Sequence, residues 1–167
     1  TAPSRACVCA LARAFALLAR VFVLLVVAFG VADLQSVRVK SNANSKGYHD
    51  RVASMRSRLQ LGTTPGNPIL VSEWNVAQAQ LEKVNADIGE MSSLSNRVAA
   101  DAAMSTYLLD ATRAAFGLSG AIDEDHNQLA ILEDDVNQTV VLIERLLTEL
   151  SDDIRRQSNY VANERNE

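Results

Sequence analysis

Cysteine, proline, histidine and aromatic residues are all scarce in this chain, and each scarcity closes off a class of explanation. The only cysteines, Cys7 and Cys9, sit in an apolar opening segment, so residues 33–167 must hold together without disulfides or a cysteine-based metal centre. Their Cys-x-Cys spacing has no partner pair, and they read as two small apolar side chains. His49 and His126 are the only imidazoles, which leaves little material for acid–base chemistry near neutrality. Prolines stop at Pro68, so nothing beyond that point forbids long helices. Aromatic residues make up 5% of a chain that is 48% hydrophobic. That aliphatic balance favours helices over sheets.

Acidic residues are missing altogether from residues 1–32, which carry Arg5, Arg13 and Arg20. Residues 33–66 hold six Lys/Arg against two acids, and residues 67–167 hold seven against 18. The chain therefore runs from apolar to basic to acidic. An acidic main body argues against nucleic acid as a partner, because affinity for the phosphate backbone comes from clustered Lys and Arg.

The stretch "ARAFALLARVFVLLVVAFGVAD", residues 12–33, raises the question of a membrane. Residues 14–32 approach the ~20 apolar residues that cross a bilayer core, with Arg20 able to snorkel toward headgroups. A secretory signal also fits, with a basic region ending at Arg20 and Gly30-Val31-Ala32 as a cleavage site. A transit peptide and a buried soluble helix complete the alternatives. The favoured reading is an uncleaved signal-anchor over residues 1–33 that contacts the lipid bilayer through residues 14–32. The helical part then lies extracytoplasmic on a single-pass protein.

Residues 34–66 read as a basic juxtamembrane segment: a loop at "SNANSKGYHD", a short helix bearing Val52, Met55 and Leu59, and a stop. Pro65-Gly66 suits a type II turn, and Asn67-Pro68 suits the cap and first position of a helix. No Gly-Lys-Ser/Thr follows the glycines, which excludes a phosphate loop.

From residue 67 to 167 the pattern is sevenfold. Trp74, Leu81 and Ile88 form one series and Ala77, Val84, Met91 and Val98 another, as in a coiled-coil seam. A small-residue middle, "SSLSNRVAADAAMST", implies either close helix approach or a break near Ser92–Ser95. An unbroken helix there would run ~73 Å at the usual rise per residue. Gly117 and Gly120 predict the next break, and Asp123 a cap. Leu129, Val136, Ile143 and Leu150 then repeat at seven, flanked by Leu132 and Leu146 on one side and Val140, Leu147, Ile154 and Val161 on the other. Such a wide stripe needs more than one neighbouring helix.

The expected fold is all-α: an N-terminal membrane-spanning or signal helix, then a long antiparallel helical hairpin or up-down bundle. The extra cover for the wide stripe comes from the 49–61 helix, from a break near Ser93, or from a second copy. The missing initiator Met and the open stripe at "ANERNE" suggest a piece of a longer protein. Helix-packing residues are Trp74, Leu81, Ile88, Leu129, Val136, Ile143 and Leu150.

Chemistry is thin. "DEDHNQ", with Asp123, Asp125 and His126, is the one cluster with cation-binding residue types. It also suits a helix N-terminus, where acids complement the dipole. The doublets Asp134-Asp135 and Asp152-Asp153 read as solvated, and the sequon at Asn137 as chance because Thr139 faces the seam. No catalytic, cofactor or metal residue emerges and no small-molecule substrate is implied. The expected function is that of a membrane-anchored coiled-coil scaffold or structural subunit, not an enzyme, with a helical partner or self-association. The alternative is a ligand-sensing bundle of a transmembrane receptor.

Overall fold

The computed structural model describes the backbone of residues 5–116 and 123–166, and side chains from Val21 onward except Val23, 117–123, Asp125 and the last residue. Three helices make up the fold: α1 (Arg5–Gln60), α2 (Pro68–Phe116) and α3 (Asp123–Glu164). The protein is all-α, with no strand among the described residues.

The α1–α2 connection follows the local chemistry of its sequence. Helix α1 stops where Gly62 takes a positive φ of 85°, and its N–H bonds the Leu59 carbonyl at 3.1 Å. Gly66, at φ 77°, occupies the third position of a type II turn closed by Asn67 N–H on the Thr64 carbonyl at 3.2 Å. Both conformations favour glycine because a Cβ is strained there. Asn67 then caps α2, its Oδ1 accepting the Ile69 N–H at 2.9 Å, while Pro68 takes the first helical position, where no N–H is needed. The expected breaks at Gly117 and Gly120 lie outside the described residues.

Two compact units divide the chain. The first comprises Thr1–Ala32 and Ser95–Glu149, and the second Asp33–Leu94 and Leu150–Glu167. In the second unit, Lys40 reaches Asp87 and Glu90 while Arg58 reaches Glu73, so α1 and α2 are antiparallel. Arg38 meets Asp153 and His49 meets Tyr160, so α3 runs parallel to α1. Its apolar centre is Tyr48, Ala77, Leu81, Val84 and Val161, with Val52, Met55, Ile88 and Tyr160 packed around it.

In the first unit, Leu108, Leu132 and Val136 form a buried cluster flanked by Leu109. Full burial of each such side chain contributes roughly 1.5–3 kcal/mol. Gly30 of α1 is buried here between α2 and α3: a Cβ at this position would stand 2.8 Å from Leu146 Cδ2 and 3.8 Å from Val98 Cγ2. Any side chain here requires the end of Leu146 to shift.

The structure differs from the sequence reading at three places. "SNANSKGYHD" is helix interior, not loop. Its seam residues have partners that outweigh weak local propensity: Ser41 and Tyr48 are buried, Asn44 bonds Asp87, and Gly47 packs against the Gln80 side chain. The helix at 49–61 is likewise the end of α1, not a separate element folding back. Similarly α2 is unbroken through Ser92–Ser95, where the Ser92 hydroxyl bonds its own helix at the Ile88 carbonyl.

Among the described residues no helix is long and apolar enough to cross a membrane. Of the expected span 14–32, the side chains of residues 14–20 and Val23 lie outside the described residues. Of the rest, Val26 and Val27 are half-buried and Gly30 is buried, so the end of the apolar run takes part in helix packing.

Candidate functional site

The second unit carries an ionic and polar layer within its helix seams. Asp87, on α2, has no exposed surface. Its Oδ2 accepts the Asn44 amide at 2.6 Å, and its Oδ1 stands 3.2 Å from Lys40 Nζ. A buried carboxylate is tolerated only with such company, because removal from water costs several kcal/mol. Lys40 also reaches Glu90 at 2.5 Å. The hydrogen bond it donates to Glu90, and then that to Asp87, hold the Lys40 ammonium above its ordinary pKa.

Asp153 on α3 extends the layer. It is buried, pairs with Arg38 of α1 at 2.5 Å, and also bonds Arg156 one turn along its own helix. One carboxylate on α2 and one on α3 therefore each bind a different cation of α1, and those cations, Lys40 and Arg38, are two residues apart. Ser41, the residue after Lys40, is fully buried and has no protein partner for its hydroxyl. A seam so equipped permits one alignment of the three helices, since a shift of one turn would bury both charges unpaired.

Further along the same unit, His49 lies edge-on between Tyr48 and Tyr160, each with ring centroids 5.6 Å away. The Tyr160 hydroxyl is 3.1 Å from His49 Nε2. Burial, aided by the negative charge of Glu164, pushes the Tyr160 phenol up to about 12. A phenol so reluctant to ionise is suited to holding a hydrogen bond, not to acting as a base.

The residues expected to pack divide into two groups. Leu81, Leu129, Val136, Ile143 and Leu150 are buried and Ile88 is half-buried. Trp74, expected in the core, is 54% exposed. The deepest line of α2 is Ala77, Val84, Met91, Val98, Ser105 and Thr112, joined by Leu81, Asp87, Leu94 and Leu108. The line that starts at Trp74, two turns into α2, becomes buried only at Leu81. Three of the inward residues are polar, which hides the second half of the seam from a search for hydrophobic repeats. Asp153 was expected to be solvated like its neighbour and is instead buried. The signal for it was its sevenfold spacing from Leu132, Thr139 and Leu146, all buried.

Asp123 and Asp125, two thirds of the suggested cation cluster, have side chains outside the described residues. His126 stacks on Phe116 with ring centroids 5.9 Å apart. Among the described residues no three His, Cys, Asp or Glu side chains gather as metal ligands. Thr139 is buried and bonds the Asp135 carbonyl, which turns the hydroxyl of the Asn137 sequon inward.

The chain matches no protein-family model, no curated protein and no solved structure.

Proposed function

We propose that this chain is a membrane-anchored helical scaffold that holds partners in place and has no catalytic role. The observation that carries the reading is the outward face of α1: Val21, Phe22, Leu24, Leu25, Phe29 and Val31 are all exposed on one helix. A contiguous apolar surface of this kind is costly in water and favourable against lipid tails. The anchor runs over residues 14–32, with Gly30 as the point where the helix backbone also meets α2 and α3.

The scaffold role draws on two further features. The ionic layer of Asp87 and Asp153 fixes helix alignment, a property useful to a spacer and unnecessary to a solvent-exposed tether. In the first unit, Met104, Tyr107, Ile131, Val141 and Leu142 remain exposed on α2 and α3. They offer apolar surface to a helical partner or to a second copy.

Carbonate extraction of membranes from cells expressing the full chain tests the anchor, and native mass spectrometry in detergent tests the scaffold. The expected result is retention in the membrane pellet with the leader intact, and a species heavier than one chain. A soluble, uncut, monomeric chain rejects the proposal.

A further inference from the structure

Ser41 of α1 and Gln157 of α3 each bury a side-chain oxygen that has no protein partner. Both occupy core positions. Ser41 continues a sevenfold line with Leu34 and Tyr48, and Gln157 extends the series Leu129, Val136, Ile143 and Leu150, all of them buried. Asp87 of α2 is a third polar residue at such a position, set between buried Val84 and Met91.

These three residues stand at one level of the second unit. Arg38 with Asp153 and Ser45 with Tyr160 pair α1 to α3 at the same separation of 115 residues, which sets Gln157 opposite Asn42, the neighbour of Ser41. Lys40 and Asn44 both reach Asp87, so that acid meets the same turn of α1. Each helix therefore places a polar residue in one layer of the core. Serine fills far less of such a position than the leucine and tyrosine in its line, and a water needs only about 10–15 Å³ of free volume. The hydrogen-bonding capacities are complementary: Ser41 has a hydroxyl proton to give, Gln157 Oε1 can only accept, and Asp87 Oδ1 keeps a lone pair beyond its contact with Lys40 at 3.2 Å.

We propose that this layer is an internal hydration site, in which one enclosed water accepts a hydrogen bond from the Ser41 hydroxyl and donates to Gln157 Oε1 and Asp87 Oδ1. Three such bonds are what a buried water ordinarily makes. A sodium or potassium ion is the rival occupant. It is disfavoured because the Lys40 ammonium already faces Asp87 Oδ1, and a second cation there would meet its charge. The inference rests neither on the anchor nor on the scaffold role.

Water-selective NOE and ROE spectra of the full chain test the site. The expected result is a long-lived water with cross-peaks to the Gln157 side-chain amide and the Ser41 backbone amide. Gln157→Leu removes an acceptor, fills its space and continues the apolar series of α3, so it should fold and lose the Ser41 cross-peak. Ser41→Ala removes the donor and should weaken the Gln157 cross-peak. At fixed ionic strength the melting temperature should be the same in sodium, potassium and choline chloride. Three outcomes overturn the inference: a folded protein with no water signal at either residue, a Ser41 signal that survives Gln157→Leu, or a melting temperature that rises with sodium or potassium over choline and loses that gain in Gln157→Leu. The last would assign the layer to a cation. If a variant does not fold, the spectra and the salt series of the unaltered chain still decide between a wet, a dry and an ion-filled layer.

Discussion

Asn44 donates its side-chain amide to Asp87 Oδ2 at 2.6 Å, joining a residue from the most polar stretch of α1 to the most deeply buried acid of the fold. The bond explains why a run that looks like a loop is helical, and what keeps a carboxylate in the seam.

Removing one partner is therefore expected to cost more than removing both. Asn44→Leu leaves Asp87 Oδ2 without its donor and should destabilise the protein by about 1–3 kcal/mol. The double variant Asn44→Leu, Asp87→Leu should recover most of that loss, because apolar replacement of a buried polar pair is often neutral or stabilising. Urea unfolding followed by helical signal measures both. Recovery of stability with loss of a single helix alignment, read by cysteine cross-linking between α1 and α2, would assign the layer to specificity.

Alkaline pH should weaken the second unit. Tyr160 and Lys40 both hold their protons more tightly folded than unfolded. Their contribution is complete below the ordinary values, near pH 10, and is lost as pH rises through the folded ones, for Tyr160 between about 10 and about 12. Thermal melts from pH 8 upward should show a flat region and then a decline. Tyr160→Phe should make that decline shallower, and absorbance titration should find one of the three tyrosines ionising late.

Gly30 tests the close approach in the first unit. Gly30→Leu must displace Leu146, whose Cδ2 would lie 2.8 Å from the new Cβ. Overpacking of this kind typically costs about 1–3 kcal/mol. Gly30→Ala brings the same Cβ contact and nothing beyond it; a small shift of the flexible Leu146 side-chain end relieves it, and about 1 kcal/mol of helix propensity offsets the cost, so the variant should be close to neutral. Adding Leu146→Ala to Gly30→Leu should restore part of the loss, whereas additive losses in a double-mutant cycle would show that the two side chains do not meet.

Trp74 and Leu81 stand seven residues apart and should behave differently. Leu81, 1% exposed, should cost about 2–5 kcal/mol when cut to alanine. Trp74→Ala should stay within about 0.5 kcal/mol. Denaturant midpoints compare them directly, and acrylamide quenching of the native protein should show Trp74 accessible in the absence of lipid.

These contrasts show which parts of the fold can be read from residue order. The end of α1, the type II turn and the start of α2 were legible because Gly62, Pro65-Gly66 and Asn67-Pro68 each meet a specific backbone requirement. Helix α3 was legible because Leu129, Val136, Ile143 and Leu150 are apolar on an otherwise charged helix. The seam of α1 was not, since Gly30, Ser41 and Asn44 occupy positions where a repeat of large apolar residues would be sought. Their inward orientation is decided by partners far along the chain. The same holds for the ionic layer: Asp87 and Asp153 look like solvated acids until Asn44, Lys40 and Arg38 are placed beside them. Trp74 fits the sevenfold spacing from Leu81, which is buried, but spacing does not show that the cover over this line begins only at Leu81.

The distances along the chain between paired residues bear on how the protein is made. Asn44 waits for Asp87, 43 residues later, and Arg38 for Asp153, 115 residues later. A ribosome delivers α1 first, with its greasy face and its cations together, and delivers the last carboxylate they pair with 115 residues after Arg38. Until then the apolar face and the cations of α1 meet only the surroundings of the nascent chain, so the order of synthesis leaves the seam of α1 without its partners for longest.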